Sequence, residues 1–425
     1  MHTFSYNHPH TQHHLLFYMN TVPHGATLVS LLREENDVPI VAFVDACIRE
    51  AHLARSSDIH FEPREQDVCI RLRIDGILRE HATFPKTMLP EVISRIKVLS
   101  SLRTDEHQAA QDGRFRHVSD SDVIDVRVSI TPTYYGENAV LRLLVSASTG
   151  FTLASLGFNE SDASRITRAL TRTHGMILAT GPTGSGKTTT LYTLMQLLNV
   201  RDVSIVTIED PIEYAIPNVT QISVNARTGL TFAHGLKSIL RQDPNIIMVG
   251  EIRDSETASV AINTALTGHL LLSTVHTNDA ATTLPRLLDM DVDAYLVAST
   301  MSIAIGQRLV RTICPACKDA VNITQGEREH ILRLYEGEPP PVLEQFYVGR
   351  GCDACGGSGY RGRIGIYEVL EISPRMRELI LNHASSQEIK RAAVEEGMTP
   401  MFNDGLEKAS RGVTTLSELL RTVHE

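Results

Sequence analysis

The run MILAT leads straight into GPTGSGKT, residues 181–188, and then into TTLYTLMQLL, whose leucines recur at helical spacing. A strand, a glycine-rich loop and a helix in that order let backbone N–H groups wrap a phosphate chain while the helix points its positive end at it. Gly181, Pro182, Thr183, Gly184, Ser185, Gly186, Lys187, Thr188 and Thr189 are therefore candidate nucleotide-binding residues. Lys187 would hold the β and γ phosphates, and Thr188 a magnesium ion. Two acidic segments supply the complementary chemistry. IIMV ends at Gly250, and Glu251 follows it at a position that would sit beside the same magnesium, directly or through water. SIVTI runs into TIEDPIEY, and hydrolysis needs a residue to orient and deprotonate the attacking water. Glu209 is the candidate for that task, with a helix-capping role as the alternative reading of Asp210. His269 and His276 flank the run LLLSTV, although a histidine beside a strand is more often structural than catalytic.

Cys314 with Cys317 and Cys352 with Cys355 form two CxxC pairs, which in a reducing compartment read as metal ligands rather than disulfides. Four thiolates suit tetrahedral zinc that stabilises a fold rather than catalyses; unliganded thiols are the alternative. CDACGGSG also fits the CxxCxGxG repeat of chaperone zinc modules, in a single copy. Cys47 and Cys69 lie in apolar patterns and are expected to be small core residues.

These groups need elements to carry them. MILAT, SIVTI, IIMV and LLLSTV are short continuous apolar runs alternating with helical stretches, the pattern of a parallel sheet buried on both faces, so the fold class is α/β from about residue 150 onward. Ahead of it, Val41, Val44, Ala46, Ile48 and Leu53 predict an amphipathic helix between Val38 and Ala54. VCIRLRI, VIDVRVSI and AVLRLL alternate as strands, with a hairpin turn at Asp75-Gly76. Residues 35–148 are read as a small α+β domain, 149–160 as a polar linker and 161–425 as the nucleotide-binding α/β domain. That domain includes a tetracysteine insertion at 312–358 and helices at 371–425, where Gly397, Gly405 and Gly412 are expected helix stops. Residues 1–34 are expected to be a disordered tail; six of the 18 histidines fall within its first 24 residues without apolar periodicity.

A length of 425 residues with 42% hydrophobic content can bury a sizeable core, and no apolar run is long enough to span a membrane. With no basic leader followed by an apolar stretch, a cytoplasmic location is expected. The formal charge of −10 argues against a broad electrostatic grip on nucleic acid.

SSDIHFEP, RIDGILRE, GPTGSGKT, TIEDPIE, GLTFA, LRQDPNIIMVGEIRD, TGHLLLSTVHTND, the two CxxC pairs and GRIGIYE occur in the order seen in the type II secretion and type IV pilus assembly ATPases, and the chain resembles that family from about residue 35 to 425. The resemblance implies a RecA-like P-loop NTPase domain preceded by a small α+β, PAS-like domain. It implies an ATP- and magnesium-dependent homohexameric motor that binds zinc. It assigns Glu209 to the catalytic glutamate, Glu251 to an atypical Walker B position, and His276, with His269, to a histidine box that responds to the γ phosphate. Arg127 and Arg142 match arginines that close over the nucleotide, while Arg241 and Arg363 match further nucleotide contacts. Arg71, Arg73 and Arg79 are expected to be solvated. The tetracysteine site argues against a pilus retraction ATPase.

The expected partner is an inner-membrane platform protein, which would place the chain peripherally at the cytoplasmic face, with no direct nucleic acid. Family members commonly carry a further N-terminal docking domain, and only a short tail precedes the first matching helix here, so docking is expected to differ or to need a segment not present. Rival readings are an ATP-dependent binding switch with little turnover and a nucleic-acid translocase. GTP is not excluded by the phosphate loop, but no NKxD motif is seen, which leaves ATP as the expected nucleotide.

Overall fold

The computed structural model describes Leu28 and residues 39–118, 123–145, 150–336 and 345–424; all of the expected tail except Leu28 lies outside the described residues. The chain divides into two compact units, Met1–Val145 and Ser146–Glu425. Among the described residues no helix is long and apolar enough to cross a membrane.

In the first unit, β1 (Ser56–Pro63), β2 (Asp67–Ile74), β3 (Ile77–Pro85), β4 (Gln111–Val118), β5 (Val123–Thr133) and β6 (Gly136–Val145) form an antiparallel sheet in the order β3-β2-β1-β6-β5-β4. The expected turn joins β2 to β3, with Asp75 and Gly76 both at positive φ. Alternate residues, among them Ile59, Phe61, Ile70, Leu72, Val126, Val128 and Leu141, pack one face of the sheet against the helices Ile40–Leu53 and Leu89–Leu99. Two residues expected on the buried stripe of the first helix are exposed: Val41 by 48% and Leu53 by 74%. The buried stripe centres instead on Phe43, Val44, Cys47, Ile48 and Ala51, and at 3.6 residues per turn Leu53 falls half a turn away from Val44.

In the second unit, β7 (Gly175–Thr180), β8 (Ile205–Glu209), β9 (Thr220–Ser223), β10 (Ile246–Val249), β11 (Leu270–Val275) and β12 (Met301–Ile313) run parallel. After the hairpin of β13 (Lys318–Asn322) and β14 (Gln345–Gly349), β15 (Tyr360–Glu371) pairs antiparallel with β12, so the sheet is mixed rather than wholly parallel, in the order β15-β12-β7-β11-β10-β8-β9. Every residue of β7, β8, β10 and β11 is buried, as two covered faces require.

Parallel register puts the C-terminal ends of β7, β8, β10 and β11 along one edge, and β12 passes this edge at Gly306, opposite Thr180. The stretch expected as a linker contains a helix, Leu153–Leu156, closed by a Thr152–Ser155 capping box and by Gly157 at φ +101°. It is held in the second unit's core because Phe158 stacks on Tyr367 and the Tyr367 hydroxyl donates to the Leu156 carbonyl. Gly397 and Gly412 follow helices at positive φ, but Gly405 lies inside the helix Met401–Ser410. There a Cβ would sit 2.3 Å from Leu419 Cδ1, so glycine permits close helix packing instead of ending the helix.

Candidate functional site

β7 delivers the glycine loop to the sheet edge. Gly181, Gly184 and Gly186 all take positive φ, and a Cβ at Gly181 would lie 2.3 Å from the Gln307 carbonyl oxygen on β12. Gly186 precedes the helix Lys187–Leu198 and offers no side-chain cap, which leaves the first N–H groups of that helix for an anion. Ser185 Oγ is buried without a hydrogen-bond partner, as is Gln307 Oε1, while Gln307 Nε2 donates to the Ser185 carbonyl at 2.7 Å. Lys187 turns its ammonium back onto the loop, donating to the Gly181 and Pro182 carbonyls at 2.7 and 2.9 Å. Burial pulls its pKa down to about 8 against the opposing pull of Glu251. An uncapped helix start, an orphaned hydroxyl and an under-solvated ammonium together fit a phosphate chain.

β10 and β11 bring two more groups to that edge. Glu251 Oε2 lies 3.1 Å from His276 Nε2 and 2.6 Å from Arg253 Nε. The two strand ends are tied by Ser273 Oγ, donating to the Val249 carbonyl, and Thr274 Oγ1, donating to the Gly250 carbonyl. Glu251 and the half-buried Thr188 offer the hard oxygen ligands that magnesium takes.

Glu209 does not fit the water-orienting role expected of it. It is 2% exposed, one carboxylate oxygen accepts from the Tyr192 hydroxyl, and the other accepts from Thr207 Oγ1 at 2.5 Å and Gln221 Nε2 at 3.2 Å. With both oxygens occupied inside the core, it acts as a hub between β8 and the helix Lys187–Leu198. No helix begins at the exposed Asp210, so the capping alternative for that residue also fails. Glu213, half-buried, is the other glutamate of TIEDPIEY, and pattern alone does not say which of these acids β8 buries.

Two further expectations are corrected by strand direction. His269 and Arg241 precede β11 and β10, so they lie at the N-terminal edge of the sheet, at least roughly 13 Å of strand away from the phosphate loop. His269 Nδ1 contacts the Thr264 carbonyl, and Arg241 donates to the Lys237 carbonyl and Ser238 Oγ. Arg363 is exposed on β15 opposite Arg311, on the side of Gly306 that lies beyond the loop.

The four cysteine sulfurs lie within 4.8 Å of one another. Cys314 and Cys352 are 3.9 Å apart, Cys317 and Cys355 3.9 Å, and Cys352 and Cys355 3.8 Å. Tetrahedral zinc with bonds of about 2.3 Å separates its sulfurs by about 3.8 Å. Cys355 Sγ accepts N–H bonds from Cys352 and Gly359; burial alone would raise this thiol, but these bonds prevail and hold it at about 6. The cluster could hold a metal ion.

On the face of the first unit's sheet opposite its two helices, register aligns Arg73, Asp58, Arg142, Arg127 and Arg114 in one row across β2, β1, β6, β5 and β4. Asp58 accepts from Arg142 Nε at 3.0 Å and lies 3.4 Å from Arg73 Nε. Arg71 contacts Glu62 at 2.5 Å, so Arg71 and Arg73, each 35% exposed, are paired rather than freely solvated. Arg114 escaped the sequence reading because only strand register places it opposite Arg127. Like charges directly opposite one another are unfavourable in a sheet.

Residues 33–421 match the family described as Type II/IV secretion system protein. The chain is 45% identical over 382 residues to the type IV pilus assembly ATPase PilB of Thermus thermophilus, a match that covers 90% of this chain and 43% of that protein. It is 44% identical over 395 residues to the type II secretion system protein E of Pseudomonas aeruginosa, covering 93% of this chain and 78% of that protein. The chain thus spans less than half the length of the first relative and over three quarters of the second. In fold it is similar to the ATPase DotB of Legionella pneumophila, with a TM-score of 0.65 at 22% identity over 95% of this chain and 97% of that one.

Proposed function

The chain belongs to the type II/IV secretion system protein family, and from that premise we propose that it is a magnesium-dependent motor ATPase that drives assembly of a type II secretion pseudopilus or a type IV pilus. The observation that carries the reading is the convergence of the glycine loop, Lys187, Glu251 and His276 on one sheet edge. Lys187 and the first turn of its helix hold the phosphates. Thr188 and Glu251 hold magnesium, which supplies charge neutralisation at the transferring phosphoryl group. His276 sits where a change at Glu251 would reach it.

Because Glu209 is enclosed, we assign the water-orienting carboxylate to Glu213 in the same segment. Arg127 and Arg142 belong to a separate unit, and a guanidinium delivered to the phosphates from there would stabilise transition-state charge and couple hydrolysis to domain movement. Arg363 is retained as a further phosphate contact. The tetracysteine cluster holds zinc in a structural role. The active form is a homohexamer at the cytoplasmic face of the inner membrane, engaging a platform protein there; the relatives' names, a pilus assembly ATPase and a type II secretion system protein, support a role in such a machine.

The test is the ATP hydrolysis rate per protomer across a range of protein concentrations with magnesium, using Lys187→Ala as the blank. A rate that rises with association and is lost in the blank supports the motor. A flat rate equal to the blank, with ATP still bound, would replace it with a binding switch.

A further inference from the structure

We propose that Tyr192 is a positioning residue for hydrolysis, holding the acidic segment 210–213 in register with the phosphate loop; this rests on the ATP-hydrolysing reading above. Tyr192 is fully buried on the helix Lys187–Leu198, about one and a half turns beyond the phosphate-binding lysine. Its hydroxyl donates to Glu209 Oε2, accepts from the Glu213 backbone N–H at 3.3 Å and lies 3.4 Å from Gln221 Nε2.

Gln221, on β9, completes the bracket. Its Nε2 also reaches Glu209 Oε1 and donates to the Tyr214 carbonyl at 3.1 Å, and its Oε1 accepts from the Ile216 N–H at 2.8 Å. The Tyr214 ring meets the Tyr192 ring edge-on at 4.6 Å. The chain leaving β8 is therefore fastened at 213, 214 and 216 before it re-enters the sheet at β9. The enclosed Glu209 carboxylate is the anion around which these donors collect, since a charge so buried must be fully paired. Burial first, and then the neighbouring carboxylate, push the Tyr192 phenol far above its ordinary range, so it is a fixed donor and carries no proton in turnover.

The functional consequence follows from where Tyr192 rides. The first turn of its helix grips the phosphates, so a shift of that turn on nucleotide binding or release moves the hydroxyl that holds the Glu213 backbone. Tyr192 thus sets the distance between the phosphate chain and the acidic segment without touching either substrate or water.

Tyr192→Phe removes one oxygen and keeps the ring. The expected result is a kcat for ATP about tenfold to a hundredfold lower, with KM and the affinity for a non-hydrolysable ATP analogue within about twofold of the parent. Gln221→Leu should produce the same split from the β9 side. The double variant should lose no more than the worse single one, because both act through one bracket. An unchanged kcat, or a KM that rises while kcat holds, overturns the proposal. If Tyr192→Phe does not fold, Gln221→Leu decides by the same criteria. Absence of ATP turnover in the parent protein would instead overturn the motor reading, so the two failures are distinguishable.

Discussion

Glu251 and His276 end different strands, yet the glutamate Oε2 and the histidine Nε2 are 3.1 Å apart. The parallel pairing of Val249 with Ser273 brings the two strand ends side by side, and each side chain is the first long polar group beyond its strand. The Glu251 carboxylate also acts electrostatically on the Lys187 ammonium, favouring its charged form.

Replacing Glu251 by Gln keeps the shape and removes the charge that a magnesium ion would use. Turnover should fall by about a hundredfold or more while ATP analogue binding persists. Steady-state rates over a magnesium titration check this; parent-like kcat at saturating magnesium would remove Glu251 from the metal site.

Lys187 titrates near 8 because burial penalises its ammonium. Its folded pKa lies below the ordinary lysine value, so between about 8 and 10.5 the unfolded chain binds more protons, and this residue's contribution makes the nucleotide-free protein more stable as pH rises through that window. A bound phosphate chain favours the charged form, so ATP analogue affinity should weaken above pH 8 by up to about tenfold per pH unit, with proton uptake on binding. Calorimetry at pH 7 and pH 9 in buffers of different ionisation heat measures both, and Lys187→Arg should flatten the profile.

The arginine row predicts a graded series. Arg127→Ala and Arg142→Ala should each lower kcat by roughly tenfold to a thousandfold, since a charge delivered to the transition state is lost. Arg114→Ala, one strand further along the row, should cause a smaller loss, and Arg71→Ala, paired with Glu62, almost none. Equal effects from Arg71 and Arg127 would dissolve the distinction that register makes between them.

For the cysteine cluster, about one zinc per chain is expected by elemental analysis, with the metal lost in Cys314→Ser. A strong chelator should lower the unfolding temperature of the parent protein and leave that of the variant unmoved. A metal-free parent that unfolds at the same temperature with and without chelator would return these residues to plain thiols.

Gly405→Ala should destabilise the second unit by about 1–3 kcal/mol, because the new methyl group meets Leu419 at 2.3 Å inside a packed helix pair. Denaturant unfolding gives the figure directly. A neutral result would mean that the helix Leu416–His424 shifts freely.

The phosphate loop, its strand and its helix were legible in the sequence because they are contiguous, and their chemistry depends on residues within a few positions of one another. That Glu251 and His276 share one sheet edge was legible too, since any residue that follows a parallel strand lies at the same edge as any other, whereas a role for His276 came only from the family resemblance. The same rule would have placed Arg241 and His269 at the far edge, because they precede their strands.

Tertiary structure alone decided which of the acids in TIEDPIEY is enclosed by Tyr192, Thr207 and Gln221, that Gly405 packs rather than stops a helix, and that the expected linker docks on Tyr367. It also decided that Asp58 meets Arg142 across 84 residues of chain and that Arg114 faces Arg127. Periodicity and turn chemistry act over a few residues and so are written locally. Strand register and enclosure come from the packing of segments far apart in the chain, and no local pattern carries that information.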